Sequence, residues 1–409
     1  MVEKRLFGCL VIVLLSITGC NNGQQVDTDT TIVTSEEQCI RDNDQIETDN
    51  IDVISTICSD IYDEVIQKNA VCSMDMMRNI VNRLGENGYT AVDSENQIDM
   101  TEPDKVIQFC EKVDAGEEAE LTVIVVSYLG GFTKYDFRTE SGNVDIVREY
   151  YQYFDGHMEH RSTGTYRADT WKYTEEGYLL FEGYWFSEEY FILTLNDMPE
   201  RVALRVQPLD EKCRELNQQY ILPIGYERNN MFIVDWSEND FRELNFYDLF
   251  DIFYPLMYGQ RVPYVADENL EVGAVYRIPK EEFEAVIISY FSMTSETLQS
   301  KTTYFSEDAT YEYKPRGFYE IEYPEIPYPE VVNYAENNDG TMTLTINVVF
   351  PGQIISKVYT HEVVIRPLED GGVQYVSNRI IPSEDNYEQT WNVPRLTKEE
   401  WEEIYGDFE

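Results

Sequence analysis

From Leu121 onward the apolar residues of this chain recur at every second position, and that alternation decides the class of fold it can enter. The clearest run follows the Asn338-Asp339-Gly340 turn, where Met342, Leu344, Ile346 and Val348 alternate with Thr341, Thr343, Thr345 and Asn347. A strand sends successive side chains to opposite faces, so such a run buries one face and wets the other. Runs of the same kind lie at Leu121–Tyr128, Lys134–Arg138, Tyr166–Tyr173, Tyr178–Trp185, Tyr190–Leu195 and Arg201–Val206. Gly130-Gly131, Ser141-Gly142-Asn143 and Glu175-Glu176-Gly177 break them. Half-solvated strands joined by short turns make antiparallel meanders. Near the end, Tyr359, His361, Val363 and Ile365 form another strand, and Val373–Ile380 one more after Asp370-Gly371-Gly372.

Before Leu121 the period is helical. Ile54, Ile57, Cys58, Ile61, Tyr62, Val65 and Ile66 repeat at three- and four-residue steps, which is one buried stripe. Ser73 is placed to cap a second helix carrying Met77, Ile80, Val81 and Leu84. Thr101, with Asp104 three residues on and Pro103 in the first turn, is placed to cap a third. Residues 246–256 read as a helix apolar on nearly all sides, fit for sandwiching between two modules. Pro279 opens a further helix with Phe283, Val286, Ile287 and Tyr290 on one face, and Thr397 with Glu400 matches a capping box for a closing helix.

The expectation is therefore an α+β fold: N-terminal helices plus an antiparallel β meander over 51–245, an aromatic connecting helix and linker over 246–272, and a C-terminal helix-plus-meander module over 273–409. A helix followed by three meandering strands resembles the cystatin-like or nuclear-transport-factor-like domains of Gram-positive surface lipoproteins. That resemblance is one of pattern and brings no site residues with it.

The chain carries 77 acidic against 31 basic side chains, a formal net charge of −46. Such a surface repels nucleic-acid backbones and anionic headgroups, so no nucleic-acid partner is expected. Residues 21–50 hold eight acids, one arginine and no aromatic residue, too little to bury, and read as a disordered tether. Asp42, Asp44, Asp49 and Asp52 lack the glycine and terminal glutamate of a calcium loop.

Reactive residues are few. Of three histidines, His157 and His160 form a His-x-x-His with no third ligand in view, and His361 shares a strand face with apolar neighbours. Cys58 and Cys110 fall on apolar helix faces and read as buried thiols; they are also the best disulfide candidates. Nucleophile-elbow, phosphate-loop, dinucleotide and zinc-protease motifs are all missing, so no catalytic residue, cofactor or metal is assigned. One stretch, Tyr311–Tyr334, interleaves Pro315, Pro324, Pro327 and Pro329 with tyrosines. It reads either as a ligand surface of Tyr319, Tyr323 and Tyr328 for glycan or peptide, or as an edge segment strapped over the sheet.

The first twenty residues bear on location. Lys4 and Arg5 precede an apolar run, Leu6–Leu15, too short to cross a bilayer. It ends in Ile17-Thr18-Gly19-Cys20, which resembles the lipobox of bacterial lipoprotein precursors. The resemblance implies a signal peptide over 1–19, lipidation of Cys20, and attachment to the outer face of the cell membrane. Loss of Cys9 and use of Cys20 would leave an odd five of the seven cysteines. The role expected of such a chain is non-enzymatic binding or scaffolding in the envelope, with an envelope protein or glycan as partner. A solute or glycan receptor for a transporter and a carboxylate-based hydrolase are the alternatives.

Overall fold

The computed structural model describes residues 53–64, 72–185, 199–266, 273–320, 325–369 and 371–406. Cys20, the leader, the acidic segment 21–50 and the strand expected at Tyr190–Leu195 lie outside the described residues.

The N-terminal half is built on a five-stranded sheet. Helix α1 (53–64) and α2 (Met74–Glu86) lead into β1 (Thr90–Asp93). Helix α3 (Pro103–Ala115) then carries the chain across to β2 (Ala119–Ser127), which pairs parallel with β1. From β2 a meander continues through β3 (Gly131–Glu140), β4 (Asn143–Phe154) and β5 (His157–Arg167), in the order β1-β2-β3-β4-β5.

Ser73 caps α2 as its sequence implies, its hydroxyl accepting the Met76 N–H at 3.3 Å. Thr101 does not cap α3. Its hydroxyl instead bonds the Tyr89 carbonyl and the Ala91 N–H, both at 2.9 Å, tying the helix entry to β1. Glu102 takes the cap position in a left-handed conformation with φ 52° and no side-chain bond.

Alternation sorts the two faces of the sheet. Val123, Tyr135, Phe137, Ile146 and Tyr166 meet Leu179, Phe181 and Leu204 of a second sheet made of β6 (Thr170–Tyr173), β7 (Tyr178–Gly183) and β8 (Glu200–Arg205). On the other face Tyr153 stacks on Tyr62 of α1 at 5.0 Å between ring centroids and donates to Asp63 at 2.8 Å. The run expected at Tyr166–Tyr173 is broken between β5 and β6, which belong to different sheets.

The C-terminal half contains α4 (Glu211–Leu216), β9 (Trp236–Ser237), α5 (Phe246–Tyr258), β10 (Tyr276–Pro279), α6 (Lys280–Tyr290), α7 (Ser295–Ser300), β11 (Tyr304–Phe305) and β12 (Thr310–Tyr313). It continues with β13 (Tyr328–Glu336), β14 (Met342–Val349), β15 (Thr360–Pro367), β16 (Val373–Ile380) and α8 (Lys398–Tyr405). Strands β14 to β16 form the expected three-stranded antiparallel meander; β13, from the proline–tyrosine stretch, adds a fourth strand at one edge and β9 joins the other, while β10, β12 and β11 form a small separate sheet. Strand β13 is an edge, which is why Pro329 is tolerated in it.

One apolar core runs from Cys213 to Trp391 and takes in Phe246, Leu249, Phe250, Phe253 and Tyr254 of α5 together with α6 and the long meander. Helix α5 therefore lies within one core, and the expected boundary at 273 cuts through it. His361 is fully buried in this core, bonded to the Tyr226 hydroxyl at 2.8 Å and to Asn378 Oδ1 at 2.6 Å. Burial, only partly opposed by Asn378, lowers its pKa from 6.5 to about 4 and keeps the ring neutral.

A buried polar chain joins the two halves. Asn96 accepts the Arg205 N–H and donates to the Tyr328 hydroxyl; Tyr328 donates to Tyr178, and Tyr178 donates to Glu330 at 2.7 Å. Arg205 pairs with the same glutamate at 3.0 Å. Cys58, Cys72, Cys110 and Cys213 are buried free thiols, so Cys58 and Cys110 do not pair. Among the described residues no helix is long and apolar enough to cross a membrane.

Candidate functional site

Two acids interrupt the otherwise apolar α5. Asn245 caps this helix, accepting the Tyr247 and Asp248 N–H groups at 3.0 and 3.2 Å, and Gly259 ends it with φ 66°. Asp248 and Asp251, three residues apart, share a face turned toward the chain that follows β12 and toward the segment before α8.

Asp248 accepts Arg316 Nε and Nη2, both at 2.9 Å, and Arg395 Nε at 2.8 Å. Asp251 accepts Arg395 Nη2 at 2.7 Å and the Tyr313 hydroxyl. The two arginines also donate to the carbonyls of Val393 and Lys314. Burial lifts the Asp251 carboxyl to about 6, opposed by Arg395 and the Tyr313 bond and aided by the charge of Asp248. Burial works against the Arg395 charge, but Asp248 and Asp251 outweigh it and hold its pKa above the usual range.

Arg395 carries this network to the floor of a pocket of about 300 Å³, lined by Asn245, Tyr247, Thr303, Glu312, Lys314, Glu320, Arg395, Lys398 and Trp401 among others. Lys314 Nζ sits 4.2 Å from the centroid of the Trp401 ring and 3.3 Å from Glu312. Glu320 is buried and accepts two backbone N–H groups, Gly317 at 3.0 Å and Leu396 at 2.9 Å, which fastens the far wall. That wall leads into α8, whose capping box of Thr397 and Glu400 forms as its sequence implies. A larger cleft of about 570 Å³ beside Arg78, Asp99, Glu211 and Arg214 is wholly polar apart from Ile98, and its main cation, Arg214, is already paired with Asp99.

The chain belongs to the DUF6070 family of unknown function. The match covers residues 43–395, so it takes in both halves of the fold and the arginine that floors the pocket. No curated protein and no solved structure matches the chain.

The residues singled out in the sequence are scattered. Tyr319 is exposed and packs edge-on against Tyr405. Tyr328 is spent in the chain between the halves, and Tyr323 lies outside the described residues; Tyr319 and Tyr328 are thus held by different neighbours and do not form one open row. His157 is exposed and lies 3.5 Å from Glu159, while His160 bonds Thr163 at 2.7 Å. Both ride β5, the edge strand, and no metal-holding group of side chains occurs among the described residues.

Sequence reasoning missed Asp248, Asp251, Lys314, Arg316, Arg395 and Trp401. A signal did exist: two acids on one face of an apolar helix demand buried cations. Nothing in the sequence, however, says that the cations come from positions 316 and 395.

Proposed function

We propose that this chain is a lipoprotein of the cell envelope, held on the outer face of the membrane by lipid on Cys20, and that it binds a small ligand in the pocket between α5, β12 and α8 without turning it over. The observation that carries the location is Ile17-Thr18-Gly19-Cys20 behind a charged and apolar leader. Two acyl chains on that cysteine would anchor the protein stably where one would not. The cystatin-like or nuclear-transport-factor-like likeness of the C-terminal part, and the exclusion of nucleic acid by the acidic surface, belong to the same proposal.

The pocket supports binding over chemistry. A hydrolase built on paired carboxylates needs one acid free to give a proton and another free to receive charge. The acids that line the pocket are engaged, Glu320 by two backbone amides and Glu312 by Lys314, and so are the two behind Arg395, Asp248 by two arginines and Asp251 by an arginine and a tyrosine. Fixed, mutually neutralised groups make a rigid floor, and rigidity is what a binding site requires.

Membrane fractionation of cells expressing Cys20→Ser tests the location. The variant should leave the membrane fraction or accumulate as an uncut precursor. A processed variant that still sediments with membranes after a high-salt wash would overturn the lipid anchor.

A further inference from the structure

The pocket is richer in unspent donors than in unspent acceptors, which is unexpected in a chain of net charge −46. Lys314 Nζ carries three N–H groups; one is directed at Glu312, and the Trp401 face takes another without forming a full hydrogen bond. Among the described residues Lys398 Nζ makes only a 3.8 Å contact with Glu402, and its side chain is 70% exposed. The Tyr247 hydroxyl accepts the Thr303 N–H at 2.7 Å, which leaves its own proton to give. On the acceptor side, Glu320 is committed to Gly317 and Leu396, and Glu312 to Lys314.

Resting on the reading of this pocket as a ligand site, we propose that it takes a small organic carboxylate carrying a single negative charge, gripped by Lys314 and Lys398 with its body toward Trp401. A doubly charged phosphate is disfavoured because Glu312 and Glu320 share the lining, and like charges a few ångströms apart repel strongly away from water. A neutral sugar is disfavoured too, because it would leave the ammonium of Lys398 and the remaining N–H groups of Lys314 without an anion to meet.

The test follows the Trp401 indole N–H resonance of the full chain, assigned through Trp401→Phe, during titration with benzoate, benzamide and inorganic phosphate. Benzamide keeps the shape of benzoate and removes the charge. The expected result is a saturable shift with benzoate, binding of benzamide and phosphate at least about tenfold weaker, and a loss of about tenfold for benzoate in Lys314→Met, one charge-assisted contact being worth about that ratio. Lys398→Gln, at an exposed position that leaves the fold alone, should weaken benzoate about threefold or more, and Lys314→Arg should retain binding. Equal affinity for benzoate and benzamide, or for benzoate and phosphate, overturns the carboxylate assignment while leaving the pocket a ligand site. If none of the three probes moves the resonance, the reading of the pocket as a ligand site falls with it.

Discussion

Replacing Arg395 by methionine should destabilise the protein by an amount that depends on pH, because its partner Asp251 holds a carboxyl raised by burial. The Asp251 carboxyl is raised from 3.8 to about 6, so the folded state holds that proton more tightly than the unfolded state does. A raised pKa favours folding fully below pH 3.8 and loses that advantage as pH rises through about 6. At about 1.36 kcal/mol per unit, the penalty on the charged native form at pH 7 is about 3 kcal/mol, and water reaching 29% of the side chain makes this an upper bound. Without Arg395 the acid would protonate outright, and the ceiling on its penalty at pH 7 becomes about 4.4 kcal/mol. The extra loss traceable to Asp251 is thus about 1.4 kcal/mol at pH 7 and close to zero at pH 5, where the native acid is already protonated. Asp248 loses one of three charged donors, about 1.5–3 kcal/mol at either pH, since Arg316 keeps its two bonds. Urea unfolding of wild type and Arg395→Met should therefore differ by about 3–4 kcal/mol at pH 7 and by about 1.5–3 kcal/mol at pH 5. A loss that is equal at the two pH values, or larger at pH 5, would refute the assignment of the strained charge to Asp251.

His361 should titrate near pH 4 in proton spectra of the folded chain. Its lowered pKa gives stability that is present above pH 6.5 and lost as pH falls toward 4, about 3 kcal/mol in all; a native titration near 6.5 would show that the ring is not sealed in the core. Tyr178→Phe removes one of the two donors, the other being Arg205, from a glutamate whose side chain is 5% exposed, and unfolding free energy should drop by about 1.5–3 kcal/mol. An unchanged urea midpoint would mean that the polar chain between the halves contributes nothing to stability.

The sequence by itself determined the periodicities and the local caps. Alternation at 342–348 and 361–365 became β14 and β15, and Ser73 and the Thr397–Glu400 box became caps, because these depend on neighbours a few residues away. His361 could be read as a core histidine from its strand face alone. Tertiary structure decided everything that joins distant positions. The short parallel strand β1 carries four residues with all side chains buried, so it shows no alternation to read. The β4–β5 hairpin turns at Asp155-Gly156, but its solvent-facing polar residues hid the pairing. Thr101 bears a capping side chain and spends it on β1, since bonds to the Tyr89 carbonyl and Ala91 N–H compete with the cap. The boundary at 273 looked natural because Pro279 starts a helix, yet α5 from upstream fills the same core, and a hydrophobic core is shared by contact without regard to chain order. The pocket is the extreme case. Asp248 and Asp251 announce a need for buried cations, but Arg316 and Arg395 meet it across 68 and 147 residues of sequence, a pairing that packing alone selects.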